Sequence, residues 1–285
     1  MRLLVSFSMG ETSAYLAKII ADGAMPEYDE VIFVAANTGQ EHEKSLVFGD
    51  YIDRTFLGGR LVWLESVVRH NRREACGHRI VTFETAHRGG DLFESMIQKY
   101  GIPNQSYPHC TRSLKLDPIT SYARSIGWES GSYDTAIGIR KDEGDRISSK
   151  AAKNRIIYPL VSRFPMEKTD INAFWDKQAY RLEITGYQGN CVWCWKKTLR
   201  KHYTLAQDDP KIYDIPARLE REYPLAGHNV DGTPRTFFRG NQSTQDILDG
   251  AGKPFKRFHD ENRVYDDKLD LGGGCGESCE VYADE

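Results

Sequence analysis

The sequence predicts an α/β fold in which a parallel sheet is flanked by helices, and three observations predict it. The first forty residues read as strand, helix, strand; the second strand is a continuous apolar run; and strand-like and helix-like segments go on alternating to about residue 150. Leu3-Leu4-Val5 is a short apolar strand. Ala14, Leu16, Ala17, Ile19 and Ile20 recur at the spacing of one helix face, and Gly23 and Pro26 end that helix. Val31-Ile32-Phe33-Val34-Ala35 shows no alternation, as expected of a parallel strand buried on both faces. A helix over 43–55, a strand over 60–64, helices over 91–100 and 118–126 and a strand over 133–139 extend the series. Beyond Lys150 the rhythm weakens into a helix over 170–177, a turn-rich loop over 186–194 and a helix over 198–207. A stretch rich in Gly, Pro and charge follows, with one short helix over 242–248. The pattern predicts a core over 1–165 and a loop-rich C-terminal lobe over 166–285 that closes over it and carries a cysteine metal site.

Composition excludes several classes. Hydrophobic residues are 40% and charged residues 28% of the 285, an ordinary globular balance that excludes a wholly disordered chain. No apolar run approaches the roughly 20 residues that cross a bilayer, and the start M-R-L-L-V-S-F-S turns polar too soon for a secretory signal. The net charge of −3 gives no global attraction to nucleic acid, so any polyanion contact must come from local patches. Six cysteines without an export signal point to a reducing cytoplasm, where clustered thiols hold metal or do redox chemistry.

Between the first strand and first helix lies Ser6-Phe7-Ser8-Met9-Gly10-Glu11-Thr12-Ser13. A small, hydroxyl-rich turn entering a helix aims free N–H groups and the positive dipole end at one spot, which suits phosphate. The same turn could equally be a plain N-cap, with Ser8 or Thr12 satisfying the orphan amides. Four further segments stand in order: Asn37-Thr38-Gly39-Gln40-Glu41, Cys110-Thr111-Arg112-Ser113-Leu114-Lys115, Gly138-Ile139-Arg140-Lys141-Asp142-Glu143-Gly144-Asp145-Arg146 and Gly189-Asn190-Cys191-Val192-Trp193-Cys194. Together the five segments resemble the PP-loop, N-T-G-x-E, C-T-x-x-L-K, G-I-R-x-D-E-x-x-R and G-N-C-x-x-C elements of the PAPS reductase branch of the adenine nucleotide alpha hydrolase superfamily. They cover residues 6–194, about two-thirds of the chain. Met9 stands where that family has its first PP-loop glycine, so this position is expected to hold a side chain at negative φ.

The resemblance implies a Rossmann-like, HUP-type sheet with an adenine nucleotide, ATP or PAPS/APS, at its C-terminal edge. It implies nucleotide contacts at Ser6, Ser8, Gly10, Glu11, Thr12 and Ser13, with Asn37, Thr38, Gly39 and Gly138 nearby, and Mg²⁺ alongside. Lys115, Arg140 and Arg146 would supply catalytic positive charge. The plain alternative for the arginines is an exposed salt-bridge ladder with Asp142, Glu143 and Asp145. The resemblance also favours a [4Fe-4S] cluster, with Zn²⁺ as runner-up and free buried thiols as the plain alternative. Its expected ligands are Cys110, Cys191, Cys194 and Cys279, with Cys275 or His109 as substitutes for the fourth, while Cys76 reads as a bystander.

Trp193, Trp195, Lys196, Lys197, Arg200, Lys201 and His202 form a mixed aromatic and basic run; Arg69, His70, Arg72, Arg73 and Lys253, Lys256, Arg257, His259 form two more. Such runs could bind a nucleic-acid acceptor, but packing of the tryptophans with solvated lysines is the slightly favoured reading. His42, His87 and His228 read as surface histidines. The primary expectation is a PP-loop enzyme that splits ATP into AMP and pyrophosphate to activate an acceptor for Fe–S-dependent sulfur transfer from a sulfur donor. The first alternative is thioredoxin-linked reduction of PAPS or APS to sulfite through Cys275; the second is nucleotide or nucleic-acid binding without turnover.

Overall fold

A computed structural model gives the fold and describes residues 1–71, 73–229 and 232–259. The strands are β1 (Arg2–Ser6), β2 (Glu30–Asn37), β3 (Leu61–Val67), β4 (Gly77–Val81), β5 (Asp134–Ile137) and β6 (Ile156–Ile157). They form one sheet in the order β4-β3-β2-β1-β5-β6, and every neighbouring pair is parallel except β3 with β4. The helices are α1 (Glu11–Ala21), α2 (Glu43–Ile52), α3 (Asp91–Tyr100), α4 (His109–Thr111), α5 (Asp117–Ser125), α6 (Pro159–Ser162), α7 (Lys168–Trp175), α8 (Leu199–Asp208), α9 (Asp214–Glu222) and α10 (Thr244–Ala251). A π-helical turn over Arg112–Leu116 joins α4 to α5 into one continuous helical run. Among the described residues no helix is long and apolar enough to cross a membrane.

Strand alternation explains the layers. Leu3 and Val5 of central β1 pack into a cluster with α1, α2 and α7, whereas Leu4 joins Val34 and Leu64 under Ile119 and Ala123 of α5. All three are fully buried, so β1 reads as an unbroken apolar run rather than an alternating one. Two large apolar clusters each draw on both sides of residue 165. The first joins β1 and α1 to Trp175 and Leu182, and the second joins Phe93 and Met96 of α3 to Trp193, Tyr213, Phe237 and Ile247.

Several elements differ from the periodicity. The predicted helix over 43–55 is α2 followed by a π-helical turn at Asp53–Leu57, which Gly58 stops at φ 65°. Strand β3 continues three residues past Leu64, because Glu65 is fully buried and held by Arg79 across the antiparallel pair. A buried carboxylate looks, in sequence, like the end of a strand. The β4 strand itself, Gly-His-Arg-Ile-Val, escapes notice because an edge strand needs little apolar surface. Helix α9 is hidden for a similar reason: it buries only Pro216 and Leu219, and its proline sits in the first turns where the missing N–H costs nothing.

His202 of α8 illustrates the second cluster's polarity. Its Nδ1 lies 2.8 Å from Tyr213 Oη, its ring meets Phe238 edge-on at 4.7 Å, and it is 1% exposed. Burial first, then Lys197 and Arg239, push its pKa well below the ordinary 6.5. An unfolded chain therefore protonates this histidine before the folded one does, so stability is intact above about pH 6.5 and falls as the pH drops below it. Thermal unfolding at pH 7 and pH 5 is expected to show a loss of up to ~1.4 kcal/mol per pH unit from this group. His202→Asn should flatten that slope, and an unchanged slope would remove His202 as its source.

Candidate active site at the β1–β5 crevice

The chain leaves β1 for β2 and β3 on one side, while β5 and β6 lie on its other side, so the C-terminal ends of β1 and β5 flank the point where strand order reverses. Open α/β sheets bind ligands in such crevices. The two segments read as phosphate elements, 6–13 and 138–146, leave β1 and β5 at this point. A Cβ on Gly138 would stand 2.8 Å from Ser13 Cα, so glycine is what lets the two loops touch. Arg140 spans the junction: its Nη1 donates to Thr12 Oγ1 at 3.1 Å.

The first loop corrects one expectation. Met9 sits at φ 60°, in the left-handed region, not at negative φ. That conformation costs roughly 1–2 kcal/mol, and burial of the methionine side chain in the first cluster, worth roughly 1.5–3 kcal/mol, offsets it. The side chain fits beside Trp63 because Gly49 opposite has no Cβ; one built there would lie 3.2 Å from Met9 Cγ. Gly10 is extended (φ −105°, ψ 160°) and caps α1 with no side-chain hydrogen bond, so neither Ser8 nor Thr12 serves as the N-cap. Instead the Ser8 amide and hydroxyl both donate to Ser13 Oγ (3.2 and 3.0 Å), which donates to Gly10 O at 2.9 Å. These hydroxyls knit the loop. Ser6, at the end of β1, is 8% exposed. Glu11 is clamped by Arg181, whose Nε and Nη2 reach its two carboxylate oxygens at 3.0 Å each, and Trp175 Nε1 donates to its carbonyl.

The segment after β2 is equally committed. The Asn37 amide donates to Glu65 Oε1 (2.6 Å) and His87 O (2.9 Å), and its Oδ1 accepts from Gly39 N. Gly39 takes φ 77° with Gly89 O only 2.7 Å from where a Cβ would be. Asn37 and Thr38 thus shape the strand end, and at 1% and 2% exposure they offer little surface to a ligand. His87, read as a surface residue, lies 3.0 Å from the buried Glu65. Glu41 accepts from Thr38 N and Oγ1 and lies 4.0 Å from Lys115 Nζ. Burial raises the Glu41 pKa, with Lys115 and the Thr38 donors opposing.

Arg140 and Arg146 do form the carboxylate ladder, but enclosed rather than exposed. Their side chains are 10% and 11% accessible; Arg140 pairs with Asp142 (3.0 Å) and Glu143 (3.5 Å), and Arg146 pairs with Glu143. Held this way, the guanidinium groups are fixed in place before any ligand arrives.

Asn190 links everything. Its Nδ2 donates to Ser8 O at 2.6 Å, its Oδ1 accepts from Ser45 Oγ at 3.1 Å, and its carbonyl accepts from His42 N at 2.6 Å. The C-x-x-C loop is thereby bound to the phosphate loop. Cys191 bridges to Glu41, Val192 N donates to Gln40 O, and Trp193 Nε1 donates to Gln40 Oε1. Lys197 Nζ donates to the carbonyls of Cys191 and Val192. Asn190, Glu41 and Arg181 lie outside the residues singled out as site residues in the sequence. Asn190 and Glu41 stood inside recognised segments, but Arg181, 170 residues from Glu11, carried no signal.

The thiols do not make a cage by themselves. Cys194 is buried, Cys191 is half-buried, and Cys110 on α4 is half-buried against the second cluster that holds Trp193. Among the described residues no three His, Cys, Asp or Glu side chains gather as a metal requires. Cys275 and Cys279 lie outside the described residues. The described donor set therefore does not by itself fit a four-thiolate cluster or zinc site. Cys76 is buried with Sγ 3.9 Å from Tyr100 Oη. Trp193 and Trp195 are 1% and 6% exposed, packed in the second cluster, and Lys197, Arg200 and His202 are buried with them, so most of this run is interior, while Lys196 and Lys201 are half-buried.

No family model matches the chain. It is 31% identical over 290 aligned positions to the "Uncharacterized nin region protein ORF290" of Escherichia phage lambda, an alignment covering 98% of this chain and 94% of that protein. At that identity, with nearly the whole of both chains aligned, this protein belongs to the family of the phage lambda nin region protein ORF290.

Proposed function

We infer that this protein is a PAPS-reductase-like PP-loop enzyme that binds an adenine nucleotide in the β1–β5 crevice. There an acceptor oxygen takes the adenylyl group of ATP with release of pyrophosphate, and sulfide-level sulfur from a separate sulfur donor then displaces AMP, which leaves with that oxygen. The observation that carries the reading is the junction of the two loops. An α1 N-terminus with no side-chain cap faces the crevice, packed against Gly138 and bridged by Arg140 to Thr12. The positive end of a helix dipole favours an anion. Arg140 and Arg146, already oriented by Asp142 and Glu143, supply charge where it develops on the leaving pyrophosphate. Lys115 lies beside Glu41 at the end of the neighbouring strand's loop and adds a third cation. Mg²⁺ enters with the phosphates as part of the substrate. Asn190 supports sulfur chemistry at the same place, because it holds Cys191 and Cys194 on a loop tied to Ser8.

Incubation with ATP labelled in the α-phosphate and Mg²⁺ is expected to yield AMP and pyrophosphate. Release of ADP alone, or no ATP binding by calorimetry, would overturn the reading. Iron, zinc and acid-labile sulfide measured on anaerobically purified full-length protein test the cluster separately from the nucleotide chemistry.

A further inference from the structure

A second cleft, of about 660 Å³, shares no lining residue with the crevice and runs along the other face of the sheet, beside α5. Its wall carries Arg69, Arg112, Arg124, Lys153 and Arg155 against the carboxylates of Glu74 and Asp117, a surplus of three positive charges. Arg69, Arg112 and Arg155 have carboxylate neighbours at 3.7, 3.9 and 2.8 Å. Arg124 and Lys153 have no ion pair among the described residues. Arg112 and Arg124 stand twelve residues apart on the continuous run from α4 to α5, about 18 Å at ~1.5 Å per residue. At ~3.4 Å per phosphate in a stacked strand, that length matches about five nucleotides. A single small anion would leave most of these cations unused.

Behind one wall of the cleft, at the buried Cys76, lies a stack of rings. Cys76, in the cleft wall, touches Tyr100; Tyr100 stacks on His109 (5.6 Å between centroids, 29°), and His109 on Tyr107 (6.0 Å, 24°). The Arg235 guanidinium lies 3.9 Å from the Tyr107 centroid and is fixed by the carbonyls of Tyr100 and His228. Tyr107 is 41% exposed, with the Arg235 guanidinium over it. Cations that track a backbone, followed by an exposed aromatic and guanidinium platform, are the two parts of a single-strand binding path.

We propose that this cleft and ring stack together bind single-stranded nucleic acid, with phosphates along α5 and bases on the Tyr107–Arg235 platform. The strand's end would lie beside Cys110, the residue after His109. The proposal names the acceptor class for the chemistry inferred above, yet binding is measured without ATP, so its failure and the failure of that reading are separable.

The test is fluorescence anisotropy with a labelled mixed-sequence single-stranded DNA of about 20 nucleotides, titrated at about 50 to 200 mM salt. Affinity is expected to fall as salt rises, with a log–log slope of about −0.7 per phosphate contact. Arg124→Gln with Lys153→Gln should reduce that slope by about 1.4. Tyr107→Ala should weaken binding by about fivefold or more with the slope unchanged, and Tyr107→Phe should bind like wild type. Absence of binding at the lowest salt, equal binding by all variants, or full displacement by millimolar inorganic phosphate would each overturn the proposal. Melting curves matching wild type show that the variants are folded.

Discussion

Arg140→Ala is expected to slow formation of AMP from ATP by about 10²–10³-fold, the usual cost of removing one pre-oriented donor from developing charge. The size of the effect follows from where this side chain sits. It is 8% exposed, bonded to Thr12 in the phosphate loop, and backed by Asp142 and Glu143, so it can neither be replaced by water nor swing in from elsewhere. Arg140→Lys should recover only part of the rate, because an ammonium keeps the charge but cannot reach Thr12 and Asp142 with one planar fork. If ATP is split as proposed, the loss should fall mainly on kcat, since in that reaction charge grows on the leaving pyrophosphate. A rate within threefold of wild type, in a variant with an unchanged melting temperature, would remove Arg140 from the catalytic set.

Asn190→Ala is expected to cost about 2–4 kcal/mol of stability in urea unfolding. The change leaves Ser8 O and Ser45 Oγ without their partner in a buried setting, and each orphaned group carries about 1–3 kcal/mol. It should also impair nucleotide binding, because Ser8 begins the loop whose hydroxyl knot ends at Ser13. Asn190→Asp separates the two contacts: it keeps an acceptor for Ser45 and loses the donor to Ser8. If the alanine variant is as stable as wild type, the clamp between the C-x-x-C loop and the phosphate loop is not a structural tie.

Much of the sheet was legible because its signals are local. Val31 to Ala35 are apolar at every position since β2 is covered on both faces, and the helix over 91–100 shows its whole stripe within three turns. The elements that escaped are the very short ones, β6, α4 and α6, those whose hydrophobic surface is small, β4 and α9, and the end of β3, interrupted by the buried charge of Glu65. Met9 shows the same limit at one residue. Avoiding left-handed φ is a sound local rule for a methionine, and a distant pocket between Gly49 and Trp63 outweighs it. Asn37 likewise looks like a ligand group in its motif, but Glu65 and His87 take up its amide.

The alternating strands and helices of the first 65 residues, the glycine-bearing loops and the spacing of charged side chains were determined by the sequence alone, because periodicity and turn chemistry act over a few residues. Which loops face each other was decided only in three dimensions. Arg140 meets Thr12 across 128 positions, Arg181 meets Glu11 across 170 and Asn190 meets Ser8 across 182. Such contacts leave no periodic trace. They exist because β1 lies between β2 and β5, so parallel pairing carries segments distant in the chain to one sheet edge and lets buried polar groups satisfy one another there.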